Sequence, residues 1–280
     1  MEIEKLKYQP GEGLHLYRYV TMDKLMDCLL NKRIPFTRLN LFEDKLEGMT
    51  PGHIILNLKS EEFEEMALSN PPSSLVTNNI NPTERNFRRR QRVAFQKHNY
   101  ASCWFASDHE SIAMWHLYSR PDSIAIRIPI EAFMNEINSE KFELSECDHI
   151  KIRYGSVQYY RFDNLNAHHQ LETDEEIQGF AKDKSYCHES EFRLILSTRL
   201  REQKIEQRQE FVLDEQVEEL NQDSDLKVIY LKFAEFQNLP FEIVLHPQSS
   251  DWHKSNIKET IKKYKLQFSI TESKLTRMFK

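Results

Sequence analysis

Short segments rich in aromatic and β-branched residues recur along the chain and constrain its fold more than any other feature. Such composition is typical of β-strands, and turn-forming residues separate several of the segments. The segments cover residues 14–20, 34–39, 100–107, 123–130, 150–160, 191–198, 226–234 and 241–247, and a further strand is predicted in the closing stretch LQFSITESKL.

Apolar residues at helical spacing lie between these strands. Met22, Leu25 and Leu29 follow Thr21, a residue that can cap a helix, and so predict a helix over 22–30. Further helices are predicted over 109–119, 172–186 and 251–266. Because helices and strands do not alternate strictly, we expect one α+β domain over residues 1–280 with a mixed or largely antiparallel sheet.

Residues 57–98 differ in character and predict a helical insertion. Two helix-like stretches flank residues 70–82, where proline and asparagine oppose both helix and sheet and predict a mobile loop. The second stretch contains RNFRRRQR, whose basic residues are either a contact for nucleic acid or a solvated helix face. The arginines concerned include Arg85, Arg88, Arg89 and Arg92.

Charge, composition and missing motifs argue against several classes of protein. The formal net charge is -6, which gives no overall attraction to nucleic acid, and no stretch approaches the roughly 18 apolar residues that span a bilayer. The polar N-terminus lacks a signal-peptide core, so we expect a cytoplasmic protein. The six glycines form neither a GxGxxG motif nor a P-loop, and the four cysteines form no CxxC pair, which argues against a Rossmann cofactor site and a zinc ribbon.

The stretch CHESEFRLIL (187–196) holds the first candidate site. In a strand, Phe192 and Leu194 point into the core, whereas Glu189, Glu191 and Arg193 share the opposite face. That face is either solvated, with the arginine neutralising a glutamate, or it lines a cleft in which two carboxylates serve as acid, base or acceptor for a ribose hydroxyl.

The stretch LYRYVT (16–21) holds the second candidate. Arg18 faces away from both neighbouring tyrosines and precedes a helix start at Thr21, an arrangement that suits a phosphate because guanidinium forks and helix amides both bind anions. The alternative is a structural ion pair.

The stretch HESIAMWHLYS (109–119) holds the third. Trp115 and Tyr118 lie three positions apart on the predicted helix. They are either core residues or a wall on which a base or a cationic nicotinamide ring stacks. Asp44 and Glu47, in FEDKLEG (42–48), are interpreted as capping carboxylates of a tight turn.

Four motifs in a fixed order resemble an uncharacterised family of bacterial and phage-associated domains, over about residues 14 to 275. They are the YRY strand, a D-x-x-E-G turn, a CW strand followed by E-S-x-A-M-W-x-x-Y, and a late E-x-E-F-R. In this chain they occupy residues 17–19, 44–48, 103–104 with 110–118, and 189–193.

A second, weaker resemblance is to ADP-ribosyltransferase folds, in which a strand with Arg and a Ser/Thr precedes a helix and a later strand carries E-x-E. It implies an NAD-dependent ADP-ribosyltransferase or NAD glycohydrolase, with NAD as substrate, acting as a toxin or an anti-phage effector. In that interpretation Arg18 and Thr21 bind NAD, Tyr118 and Trp115 stack on nicotinamide, Glu191 accepts the ribose 2′-hydroxyl and Glu189 orients the acceptor. Arg18, Tyr118 and Glu191 would then line one pocket.

The alternative comes from another class of protein, a non-catalytic module that binds a nucleotide or nucleic acid through Arg18 and the basic helix.

Overall fold

A computed structural model of the chain describes residues 2–49, 93, 95–139, 141–144, 150–162, 177–198, 226–266 and 268–278. Most of the predicted insertion, including the 70–82 loop and the RNFRRRQR stretch, lies outside these ranges, although residues 95–98 are helical. Within the described ranges no helix is both long enough and apolar enough to cross a lipid bilayer.

The strands and helices follow the predicted order closely. The strands are β1 (Glu2–Lys5), β2 (His15–Val20), β3 (Arg33–Arg38), β4 (Asn99–Ser107), β5 (Ile124–Pro129), β6 (Phe142–Leu144), β7 (Ile150–Ser156), β8 (Gln158–Tyr160), β9 (Ala181–Asp183), β10 (Glu191–Thr198), β11 (Val228–Phe233), β12 (Glu242–Leu245) and β13 (Ser269–Glu272). The α-helices are α1 (Met22–Asn31), α2 (Ile112–Tyr118), α3 (Ile130–Asn138) and α4 (Asp251–Lys263). Short 3₁₀ helices cover Leu39–Leu41, Lys184–Glu189, Phe236–Asn238 and Lys274–Met278.

The architecture is α+β with a mixed, largely antiparallel open sheet, as predicted. The main sheet has the order β1-β7-β10-β4-β2-β5-β12-β13, and β3, β11 and β6 branch from β4. Its strand pairs are antiparallel except β1 with β7 and β12 with β13. Strands β8 and β9 form a separate parallel pair.

The two faces of the main sheet differ in what covers them. One face, called here the helix face, carries Leu16, Trp104 and Phe192, which pack with residues of α1, α3 and α4 in the largest hydrophobic cluster. The opposite face, called here the site face, carries Tyr17, Phe105, Glu191 and Arg193. Because Tyr17 pairs with Phe105 and Phe105 pairs with Glu191, these three side chains share that face.

Three details of the predicted elements are wrong. Residues 177–186 do not form the predicted α-helix, because Gly179 adopts a φ of +89°, residues 181–183 pair with β8 and residues 184–186 begin a 3₁₀ helix. The strand predicted over 150–160 is interrupted at Val157, whose amide donates to the carbonyl of Glu191. The predicted strand over 123–130 ends at Pro129, and the helix α3 that follows it was not predicted.

Candidate functional site

The carboxylate of Glu191 and the guanidinium of Arg193 lie buried in the middle of the site face. Their exposed fractions are 6% and 0%, so the interpretation of this strand as a solvated face is wrong. Glu191 pairs with Phe105 of β4, and Arg193 pairs with Cys103. The alternation of the strand, with Phe192 and Leu194 in the opposite core, is confirmed.

Arg193 uses all five of its N–H groups. Its Nε and Nη2 atoms donate to the two carboxylate oxygens of Glu191 at 2.6 and 2.9 Å. Its Nη1 and Nη2 atoms donate to the two oxygens of Glu47 at 2.5 and 2.9 Å, and Nη1 also donates to the carbonyl of Gly179 at 2.7 Å. A buried guanidinium between two carboxylates is therefore fully satisfied, which is the condition under which such a group is tolerated in a protein interior.

The ion pairs of Arg193 determine the direction in which the pKa values of the buried groups shift. Burial alone would raise the pKa of Glu191, but the charge and hydrogen bonds of Arg193, with Lys182, outweigh it and hold that pKa below its ordinary value. Burial would lower the pKa of Arg193, and the carboxylates of Glu191 and Glu47 instead raise it well above its ordinary value. Burial, followed by the charge of Glu191, raises the pKa of the neighbouring Cys103 thiol, which is therefore protonated.

Glu189 is not part of the strand, in contrast to the prediction. It ends the 3₁₀ helix Lys184–Glu189, and Ser190, at a φ of 37°, turns the chain before β10 begins. The turn brings the carboxylate of Glu189 beside that of Glu191 rather than along the same row. Glu189 is 5% exposed. Its Oε1 atom accepts a hydrogen bond from the hydroxyl of Tyr118, and its Oε2 atom accepts one from Lys182 Nζ at 2.5 Å.

The small β8–β9 sheet contributes two further side chains to the network. Tyr159 and Lys182 are directly paired on these two strands, so their side chains leave the same face. The hydroxyl of Tyr159 accepts a hydrogen bond from the amide of Glu191 at 2.8 Å. Lys182 Nζ lies 3.5 Å from Glu191 Oε2 as well as against Glu189, and 4.5 Å from the ring centroid of Tyr186.

Tyr118 is where this network meets solvent, since half of the residue is exposed. Burial and then the hydrogen bond to Glu189 raise the pKa of Tyr118, so the phenol keeps its proton. Trp115, by contrast, is 1% exposed, and its Nε1 donates to Glu110 Oε2 at 3.0 Å. Of the two rings predicted to stack on a ligand, only Tyr118 is accessible, and Trp115 is a core residue.

Arg18 and Thr21 are not near this network. Arg18 points to the helix face, where Nη1 donates to Ser102 Oγ at 3.1 Å and the guanidinium carbon lies 5.5 Å from the ring centroid of Trp104. Thr21 precedes α1 without a side-chain cap, and α1 packs on the same face. The prediction that Arg18, Tyr118 and Glu191 line one pocket is therefore wrong, because consecutive strand residues face opposite sides and Arg18 has the parity of Leu16.

Sequence reasoning did not assign Lys182 or Tyr159 to the site. Lys182 fell in the wrongly predicted helix, and Tyr159 was treated only as part of a strand. Glu47 was recognised only as a turn residue, although its partner Arg193 is 146 positions away. Among the described residues, no group of three or more His, Cys, Asp or Glu side chains is arranged to hold a metal ion.

The described residues therefore define an α+β protein with a buried ion network that reaches solvent at Tyr118. Residues 114–194 match the model of a family described as "Protein of unknown function (DUF2971)". The match confirms the prediction of an uncharacterised domain family. The matched stretch contains Tyr118, Tyr159, Lys182, Glu189 and Glu191. No curated protein and no solved structure matches the chain.

Proposed function

We propose that the protein cleaves the bond between nicotinamide and ribose in NAD, as an ADP-ribosyltransferase or an NAD glycohydrolase. The observation that carries this proposal is the contact between Tyr118 and Glu189. It joins an accessible aromatic ring to one carboxylate of the E-x-E motif, the two features that the resemblance to ADP-ribosyltransferase folds requires of a site.

The chemistry of NAD cleavage suits such a site. As nicotinamide leaves, positive charge develops on the ribose, and an ionised carboxylate close to the sugar stabilises that oxocarbenium-like transition state. The nicotinamide ring is cationic before it leaves, and a tyrosine face attracts a cation through its quadrupole. A half-exposed tyrosine beside a buried carboxylate provides both groups at one place.

The roles of the two glutamates differ from those expected from sequence. Both oxygens of Glu191 are engaged by Arg193, so Glu191 serves here as a support that holds β10 and the turn at Glu47 together. Glu189 has one hydrogen bond to each oxygen, and an ionised carboxylate can accept about four. Glu189 is therefore the carboxylate proposed to accept the ribose hydroxyl, with Tyr118 stacking on nicotinamide.

The test is release of nicotinamide from NAD by the full chain and by Glu189→Gln. Loss of a charge that stabilises the transition state should lower the rate by about 10²-fold or more. Glu143→Gln, which changes an exposed carboxylate on β6, is the matched control and should keep the wild-type rate. Melting temperatures of all three proteins show whether each is folded.

Two results would contradict the proposal. Wild-type protein that leaves NAD intact would exclude cleavage, and binding of intact NAD would then favour the nucleotide-binding module. Equal rates for the wild type and a folded Glu189→Gln would show that this carboxylate takes no part.

A further inference from the structure

Tyr159 approaches the site from the β8–β9 sheet and uses only half of its hydrogen-bonding capacity. Its hydroxyl oxygen accepts the amide hydrogen of Glu191 at 2.8 Å. A phenol also has one hydrogen to donate, and among the described residues no acceptor for that hydrogen is found. The phenol is protonated, because burial raises the pKa of Tyr159 above its ordinary value.

The hydroxyl of Tyr159 belongs to the same network as the carboxylates of Glu189 and Glu191. Tyr159 is the direct strand partner of Lys182, and Lys182 reaches Glu189 at 2.5 Å and Glu191 at 3.5 Å. Tyr159 leaves the same face as this lysine and contacts the first residue of β10. A hydroxyl donor and a carboxylate acceptor thus belong to one network, joined through Lys182 and Glu191.

We propose that Tyr159 is a specificity-determining residue, whose O–H donates a hydrogen bond to a hydroxyl group of the substrate's ribose. This inference rests on the proposed function, since it assigns the ribose to the site beside Glu189.

A hydroxyl group is the ligand that this arrangement recognises. An ionised carboxylate only accepts hydrogen bonds, so a ligand atom bound to Glu189 must be a donor. The same ligand oxygen still has lone pairs, and Tyr159 supplies a donor for them. A carbonyl or an ether cannot donate to Glu189, whereas a hydroxyl satisfies both partners. A sugar without that hydroxyl would leave the two protein groups unpaired, which is how sites that bind a hydroxyl reject the analogue without it.

The test is a calorimetric comparison of the affinities of two ligands, whose binding can be measured without any catalytic reaction. They are ADP-ribose and the analogue that lacks the 2-hydroxyl of its terminal ribose. The wild type should bind ADP-ribose at least about tenfold more tightly than the analogue. Tyr159→Phe keeps the ring and should reduce that ratio by about 3-fold to 10-fold. Tyr264→Phe makes the same substitution at an exposed tyrosine that follows α4, far from the site in sequence, and should leave the ratio unchanged.

The ratio separates recognition from structure. Tyr159→Phe also removes the acceptor for the Glu191 amide, but that loss weakens both ligands alike and does not change their ratio. A wild type that binds the two ligands equally, or binds neither, overturns the inference without any variant. If Tyr159→Phe weakens the binding of both ligands equally, the inference is also overturned. The proposed function is tested separately, by the release of nicotinamide. If the protein prefers ADP-ribose to the analogue but never releases nicotinamide from NAD, the result would support the hydroxyl site and contradict cleavage.

Discussion

The hydroxyl of Tyr118 donates a hydrogen bond to the carboxylate of Glu189, although 71 positions separate the two residues. The tyrosine ends a helix, and the glutamate ends a 3₁₀ helix that leads into β10. Behind this contact, Lys182 and Arg193 connect three buried carboxylates. The contact is thus the solvent-facing end of a network of hydrogen bonds and ion pairs, and this network holds the carboxylate of Glu189 in place.

The link between the turn at 42–48 and β10 should contribute strongly to stability. Glu47→Gln leaves Arg193 buried with one fully charged partner where it had two, and breaking a buried pair typically costs about 3–5 kcal/mol of unfolding free energy. Glu2→Gln is the control, because Glu2 is exposed and its pair with Lys151, at 3.3 Å, should contribute about 1 kcal/mol or less. Urea unfolding of both variants checks the difference. Equal and small losses of unfolding free energy in the two variants would show that the ion pair of Glu47 with Arg193 does not contribute to stability.

Acid should weaken the network through Glu191. The folded state holds the pKa of Glu191 below its ordinary value of 4.5, so its contribution to stability is complete above about pH 4.5 and is lost as the pH falls through the lower, folded-state pKa. Glu191→Gln removes this contribution at every pH. The difference in unfolding free energy between wild type and variant should be large at pH 7 and should shrink below about pH 4.5. A difference that stays constant down to pH 3 would contradict this origin of the stability.

That prediction revises what the strand pattern alone suggests. With Arg193 regarded only as a neighbour, Glu191→Gln is expected to leave folding almost intact and to lower NAD cleavage. With the guanidinium bound to both oxygens of Glu191, an amide would place donors against donors. The substitution should therefore cost stability first.

Arg18 should matter for folding and not for the ligand. Arg18→Met keeps the chain length but removes the hydrogen bonds to Ser102 and to the carbonyl of Pro35, and should cost about 1–3 kcal/mol of unfolding free energy. Because Arg18 lies on the helix face, nicotinamide release should stay within about twofold of the wild type. A folded Arg18→Met protein that loses NAD cleavage would place this arginine in the site.

Phe192 tests how much the packing of the helix face contributes to stability. It is fully buried among the residues of the helix face. Phe192→Ala should lower the unfolding free energy by about 3–5 kcal/mol, because it leaves a cavity that the sheet and helices cannot fill. Thermal and urea unfolding measure the loss. A cost below about 1 kcal/mol would mean that the helix face repacks freely around this position.

Local patterns predicted most of the fold because strands and helices are encoded over short stretches. The alternation in 191–198 correctly placed Phe192 in the core and Arg193 on the opposite face. Sequence patterns did not predict where an element ends when the end depends on an unusual backbone conformation. Gly179 and Ser190 both have positive φ angles, and each of them changes the direction of the chain.

The site was harder to predict because its members meet only through tertiary structure. The pairing of Tyr159 with Lys182 needs the register of β8 on β9, and no short stretch of sequence specifies that register. Arg18 shows the opposite failure. Its flanking tyrosines do lie on the site face, but a one-residue difference along a strand reverses the face, so Arg18 points to the core.

A double-mutant cycle on nicotinamide release tests the central claim most directly. The wild type, Tyr118→Phe, Glu189→Gln and the double variant would be compared by kcat/KM, with melting temperatures as the check on folding. If the two residues act as one unit, Tyr118→Phe should lower kcat/KM by about tenfold alone and should have little further effect once Glu189 is replaced. Independent, additive effects, or wild-type rates in both single variants, would contradict the account.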